Sequence, residues 1–406
     1  MDATRKDDTK SFSGYRWTYF SSLNDGPIRS RAESFLAAVN WPRLLEYASE
    51  QRNGASASIL PAIGLGGNNM VRIIEFHDGV RWVARLRLPS LLDAVSSEGS
   101  LDAKSSREFN TISLLTKASA IPTPAIYAFE PGLGSGVNAP FFLMDCLEGN
   151  VGMDLGMDIP TAHKKNFFKE LAKIHVDLSK IQLPKIGTII SMNADGTFQQ
   201  GPIPGIGGPF DTATDFFRAW ATKKHFGASD DRLRALCGPY ADEIVPSVAS
   251  FKKSVADIAK MISIAYDKGP FPLCHGDFGH NNIIVDNKYH ILGVIDWESA
   301  FAGPWEIFGE FPLTVSVVPP EMNLPKDYDE RGWPKDPTLA QRFMDREDYV
   351  DAVRREEEGG QVVDHTLSNI LQDTKRQHLI TAMNLFENGK PGFYSKVVDY
   401  FLTSVK

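Results

Sequence analysis

The stretch Leu273-Cys274-His275-Gly276-Asp277-Phe278-Gly279-His280-Asn281-Asn282-Ile283-Ile284-Val285-Asp286, with Val294-Ile295-Asp296-Trp297-Glu298 close behind, holds the densest set of side chains able to do chemistry. Asp277 and Asn282 stand five residues apart on a loop between apolar runs, and Asp296 closes a strand fourteen residues after Asn282. Phosphoryl transfer from a nucleotide needs these three groups. One carboxylate orients or deprotonates the attacking hydroxyl, while the amide oxygen and the second carboxylate hold magnesium, which favours hard oxygen ligands. A competing reading takes His275, Asp277, His280 and Asp296 as ligands of a hydrolytic zinc or two-metal centre. It expects paired histidines two residues apart, and the nine histidines are scattered instead. His275 reads best as a residue whose ring orders the loop through its carbonyls. For His280, a surface position and one beside substrate both stand.

The elements that must position these groups change character halfway along the chain. The first thirty residues are polar and read as loosely ordered or draped over the surface, followed by one short helix over about Ser30–Glu50. Ile59–Ile63, the turn Gly64-Leu65-Gly66-Gly67-Asn68-Asn69, Val71–Phe76, the hairpin turn His77-Asp78-Gly79 and Trp82–Leu88 read as an antiparallel meander. A helix over about Ala103–Ala118 and strands near Ile126–Phe129 and Phe141–Asp145 complete this half, which ends at Gly149. Thereafter helices dominate, around Phe167–Leu178, Thr212–Phe226, Val245–Tyr266, Leu367–Phe386 and Tyr394–Val405, with a small hairpin near Ile186–Gln200 turning at Asn193–Gly196. The strands Ile283–Val285 and Ile291–Ile295 frame the chemical stretch. Asp345–Glu358, with seven acids and three bases, reads as a solvated helix face.

Composition excludes several classes. Forty-three basic residues against 51 acidic ones give a net charge of −8, unsuited to a nucleic-acid surface. No stretch approaches the roughly 20 apolar residues of a membrane span, and the first residues, with their early acids, read as neither a secretory signal nor a transit peptide. Three cysteines, Cys146, Cys237 and Cys274, make neither a disulfide framework nor a zinc ribbon. The expectation is a soluble cytoplasmic enzyme that binds neither nucleic acid nor membrane.

His-Gly-Asp-x-x-x-x-Asn-x-x-x-Asp followed by Ile-Asp-Trp-Glu resembles the Brenner-type loop and metal-binding strand of the aminoglycoside phosphotransferase-like family. With Asp-Gly-Val-Arg-Trp-Val-Ala-Arg near the front, the layout is most similar to fungal members, and the likeness runs from about Ile59 to Phe311. The resemblance implies an α+β, bilobal protein-kinase-like fold. An N-terminal extension, 1–58, would precede a small antiparallel-sheet N-lobe, 59–148, and a larger, mainly helical C-lobe, 149–406. It implies ATP as donor, with GTP open, Mg²⁺ as cofactor, and a hydroxyl of a small molecule as acceptor. Asp277 matches the catalytic base, and Asn282 and Asp296 match the magnesium ligands. Gly64, Gly66, Gly67 and Asn68 match the nucleotide-covering loop, with Asn69 where that loop has its third glycine. Met144 and Cys146 lie at the hinge whose backbone meets the nucleotide base.

Two positions depart from the pattern. The third strand should offer a lysine to the α- and β-phosphates and offers Arg85, whose fork is larger and permanently charged. Glu108 stands where the helix glutamate would pair with it, and Arg87 is the alternative register. Downstream of Asp296, where many relatives carry a further aspartate, this chain has Glu306. Trp297, Trp305, Phe308, Phe311 and Trp333, with Glu298, Glu306 and Glu310, could line a site for a cationic amine; the same aromatics could simply pack a core. A small-molecule kinase is the leading reading. A catalytically weak nucleotide-binding scaffold stands beside it, favoured by Arg85 and Asn69. A protein kinase ranks last, because no Ala-Pro-Glu element follows Asp296.

Overall fold

A computed structural model of the 406-residue chain describes residues 20, 23–89, 101–152, 159–193, 195–330, 332–360 and 363–403. The expected looseness of the first thirty residues falls mostly on 1–19, 21 and 22, and the end of the last expected helix on 404–406, outside the described residues. The chain divides into two units: the described residues through His163 together with His280–Glu298, and Lys164–Gly279 together with the described residues from Ser299. This grouping differs from a boundary at Glu148. The strand Asn150–Val151 pairs with Ile283–Val285, which pairs in turn with Ile291–Val294, so the segment around Asn282 and Asp296 joins the first unit.

In that unit, α1 (Pro27–Ala38) and α2 (Trp41–Gln51) precede β1 (Ala57–Leu65), β2 (Asn69–Phe76), β3 (Arg81–Arg87), α3 (Leu101–Ala118), β4 (Ile126–Glu130) and β5 (Phe141–Asp145). The single helix expected over Ser30–Glu50 is two. Asn40 ends the first by capping the second, its side chain accepting the Arg43 N–H at 3.2 Å, and Pro42 sits in the new helix's first turn, where no N–H is missed. The strands form one antiparallel sheet in the order β1-β2-β3-β5-β4.

Each strand alternates between two kinds of interior. On β3, Trp82, Ala84 and Leu86 point to one face and Arg81, Val83, Arg85 and Arg87 to the other. The first face packs with Met70, Ile74, Phe76, Phe141 and Leu143 against Ala32, Phe35, Val39, Leu44 and Ala48 of the N-terminal helices and their connection. Each large side chain buried there contributes about 1.5–3 kcal/mol. The N-terminal helices are thus half of a core. The opposite face receives α3: Phe109 stacks on Phe129 at 4.7 Å, and Phe129 on Phe142 at 4.6 Å.

In the second unit, the helices Ala213–Lys223, Ala241–Ile262, Thr374–Glu387 and Tyr394–Leu402 meet through Trp220, Phe251, Phe386 and Tyr394, whose ring centroids lie 4.8–6.1 Å apart. The expected helix Leu367–Phe386 is interrupted at Asp373, which caps the following helix through the Arg376 N–H. The acid-rich segment belongs to the helix Pro337–Glu358, and its solvated reading fails at two acids. Glu357 is buried and accepts the Leu367 and Ser368 N–H groups at 2.9 and 3.2 Å, capping the next helix, while Asp345 pairs with Lys164 at 2.7 Å. No described helix is long and apolar enough to cross a membrane.

Candidate active site

Asp277 stands in the second unit, just after the fully buried strand Phe271–Cys274, which is paired on one side with Gln182–Leu183 and on the other with Phe301–Ala302. Three local devices shape the turn that follows. Gly276 has φ +85°, and a Cβ there would run into the Ser299 carbonyl, so both conformation and space demand glycine. The buried His275 ring accepts the Asp277 amide N–H at Nδ1, 3.3 Å away, which helps order the loop. The Phe278 carbonyl accepts the Leu313 N–H at 2.8 Å. The outcome is an exposed Asp277 on a fixed backbone.

Asn282 and Asp296 lie in the first unit. Asn282 is buried directly before Ile283–Val285, and its carbonyl accepts the Ile295 N–H at 2.9 Å, which ties the two segments together one residue before Asp296. Asp296 adopts φ +66°, a conformation uncommon for residues other than glycine and tolerated best by Asp and Asn. His280, which sequence leaves between surface and substrate, is buried: its carbonyl accepts the Gly152 N–H, and a Cβ on Gly152 would stand 2.6 Å from the His280 Cβ.

The charged face of β3 meets these residues. Arg85 forms a close ion pair with Glu108 of α3, lies 3.8 Å from Asp296, and spreads over the Phe142 ring at 5.0 Å. Burial would favour discharging its guanidinium. The carboxylates of Glu108, Asp296 and Glu298 outweigh that and hold its pKa above the ordinary arginine value. Arg87, two residues on, pairs closely with Glu298 rather than with Glu108, and Asn68 donates to the other oxygen of Glu298 at 3.0 Å. Carboxylate oxygens of Glu108, Asp296 and Glu298 all lie within 4.8 Å of one another. Three carboxylates so close exceed the two guanidiniums that face them, and their oxygens are the donor type a hard divalent cation takes. Glu298 was legible as an acid beside Asp296; its pairing with Arg87 and Asn68 depends on contacts more than 200 residues apart.

The remaining expected site residues sit along the same sheet. Gly64 is the penultimate residue of β1, and Gly66, Gly67 and Asn68 form the exposed turn into β2, closed by the Gly66 N–H to the Asn69 carbonyl at 2.9 Å. Neither Gly66 nor Gly67 needs a glycine for its own sake. Both lie outside the left-handed region, and a Cβ would meet nothing closer than 3.7 Å at Gly66 and open space at Gly67. Met144 on β5 pairs with Val83, and Cys146 follows at the strand's end, in no disulfide, like the other two cysteines. Trp297, Trp305, Phe308 and Phe311 are buried and Trp333 is exposed against Phe343, so the first four pack the interior. Glu306 is also interior, in the short helix Trp305–Phe308.

An antiparallel-sheet N-terminal region followed by a helical C-terminal region is the fold of protein-kinase-like phosphotransferases. The phosphotransferase enzyme family matches residues 61–306, more than half of the chain, and the chain belongs to that family. Among solved structures, a protein from Ralstonia eutropha JMP134 provisionally named an aminoglycoside phosphotransferase is similar at 14% identity and a TM-score of 0.51. The match covers 90% of this chain and 99% of that one. The Plasmodium vivax ethanolamine kinase is similar at 14% identity, with a TM-score of 0.49 and 95% of both chains covered. No curated protein matches the chain.

Proposed function

We propose that this protein transfers the γ-phosphoryl group of ATP, with Mg²⁺, to a hydroxyl of a small molecule. The observation that carries the reading is the cluster Arg85–Glu108–Asp296, built in a family chain beside a glycine turn whose glycines the backbone itself does not require. When bound, Mg²⁺ would offset charge on the phosphates, and Asp296 with Asn282 would hold it. Asp277 accepts the proton of the acceptor hydroxyl, Arg85 balances charge on the α- and β-phosphates, and Glu108 keeps Arg85 in place. The amides around Gly64, Gly66, Gly67 and Asn68 approach the phosphates, and the backbone at Met144 and Cys146 meets the base. Positioning and electrostatics supply most of the rate in such a transfer.

The test supplies Mg²⁺ and γ-labelled ATP with a deproteinised extract of small metabolites, comparing wild type with Asp277→Asn. We expect label on a small molecule, with turnover about 10²–10⁴-fold lower in the variant and Mg·ATP binding retained. One observation favours a second reading, a catalytically weak nucleotide-binding scaffold: Arg85 reaches Asp296 as well as Glu108 and competes there with a metal ion. Nucleotide binding without turnover for any acceptor would select it.

A further inference from the structure

The turn Gly66-Gly67-Asn68 is held from a part of the chain that the family match does not reach. Arg31 on α1 donates from Nε to the Pro89 carbonyl at 2.7 Å and from Nη1 to the Gly67 carbonyl at 3.0 Å. One guanidinium therefore links the tip of the turn to the chain just past β3. The Leu88 N–H, donating to the Asn68 carbonyl at 2.9 Å, makes a second link, and the Asn68 side chain is fixed from the other side by Glu298. Burial and the positive charge of Arg87 both lower the Arg31 pKa, so its surroundings oppose the charge placed there. Charge-assisted bonds to two carbonyls offset that cost.

We infer that Arg31 is a positioning residue for the nucleotide phosphates, acting through the Gly67–Asn68 peptide. A planar trans peptide sets its carbonyl and N–H on opposite sides. By seizing the Gly67 carbonyl, Arg31 turns the Asn68 N–H away from α1, and it stiffens a turn whose glycines leave the backbone loose. The inference rests on the nucleotide-dependent reading above and brings the N-terminal extension into the site.

Calorimetry on the full chain tests it, with Mg·ATP and with adenosine as ligands, for wild type, Arg31→Ala, Arg31→Lys and Arg29→Ala, alongside the Tm of each without ligand. Arg29 is the control, since on the same helix its partners among the described residues are only Glu33, Asp25 and the Leu23 carbonyl. Arg31→Ala should weaken Mg·ATP about tenfold and leave adenosine unchanged. Arg31→Lys, able to reach one carbonyl at a time, should fall between, and Arg29→Ala should match wild type. Wild-type Mg·ATP affinity in Arg31→Ala, or equal loss of Mg·ATP and adenosine, would overturn the inference while leaving the nucleotide reading intact. A wild-type protein that binds no Mg·ATP would defeat that reading and this inference together.

Discussion

Glu108 and Glu306 are both glutamates with almost no solvent contact, 2% and 3% exposed, and the two units keep them in opposite ways. Glu108 faces Arg85 in a close ion pair, each charge answering the other. Glu306 sits in the other unit, and burial pushes its pKa up to about 7, an effect that hydrogen bonds with its own backbone and with Ser263 and the charge of Arg376 only partly offset. His175 shows the same treatment with the opposite sign: burial pulls its pKa down to about 4. Neutral, it bonds the Phe308 carbonyl at 3.0 Å and the Tyr349 hydroxyl at 2.9 Å. Beside the glycine turn the buried acid is held in an ion pair, whereas Glu306 and His175 are buried with pKa values shifted toward their neutral forms. The contrast separates buried polar groups that a phosphate or metal can use from those that serve the fold.

Breaking the ionised pair should have the largest effect on stability. Glu108→Ala leaves a buried guanidinium with Asp296 3.8 Å away as its nearest answer, and should cost roughly 3–5 kcal/mol, or about 10 °C in Tm by calorimetry. Replacing both partners, Arg85→Met with Glu108→Leu, should restore most of that Tm and still yield no turnover. A double variant as unstable as Glu108→Ala would show that the pair is not the unit that matters.

The raised pKa of Glu306 predicts a pH dependence instead. Below the unfolded pKa of 4.5, Glu306 is protonated folded or unfolded, and its burial costs nothing. Between 4.5 and about 7 the folded state holds a proton that the unfolded state has released, so stability declines as pH rises through that window and levels off above it. Denaturation at pH 5 and pH 8 should show Glu306→Gln flattening the decline, with a gain on the order of 3 kcal/mol at pH 8. A slope unchanged in the variant would place the proton elsewhere. The smallest effect belongs to Tyr349→Phe. It removes the hydroxyl that serves His175 Nδ1 and should cost about 1 kcal/mol in urea unfolding, with catalysis untouched.

Much of this was legible where chemistry or periodicity is local. The alternation Arg81-Trp82-Val83-Ala84-Arg85-Leu86-Arg87 declares a strand with one apolar and one charged face, whereas the single-helix reading over Ser30–Glu50 passed over the cap and proline of Asn40-Trp41-Pro42. Legibility ended where one element is read against another distant in sequence. Glu298 looks like an ordinary acid until Arg87 and Asn68 close on it. Glu357 looks solvated within a run of acids until the next helix presents its N–H groups, and Arg31 looks like one more surface base until its two carbonyls are placed. No window of adjacent residues contains those pairings.

The packing of α1 and α2 on the sheet also bears on where this chain can be cut. The family match begins at residue 61, yet Phe35, Val39, Leu44 and Ala48 cover the apolar side of β2, β3 and β5. A fragment trimmed to the matched span would bare Ile74, Trp82, Leu86 and Phe141 to water as one continuous greasy sheet, the kind of surface that draws copies together. For expression or for swapping pieces between relatives, the smallest safe module starts ahead of Pro27, well before the point where family likeness begins.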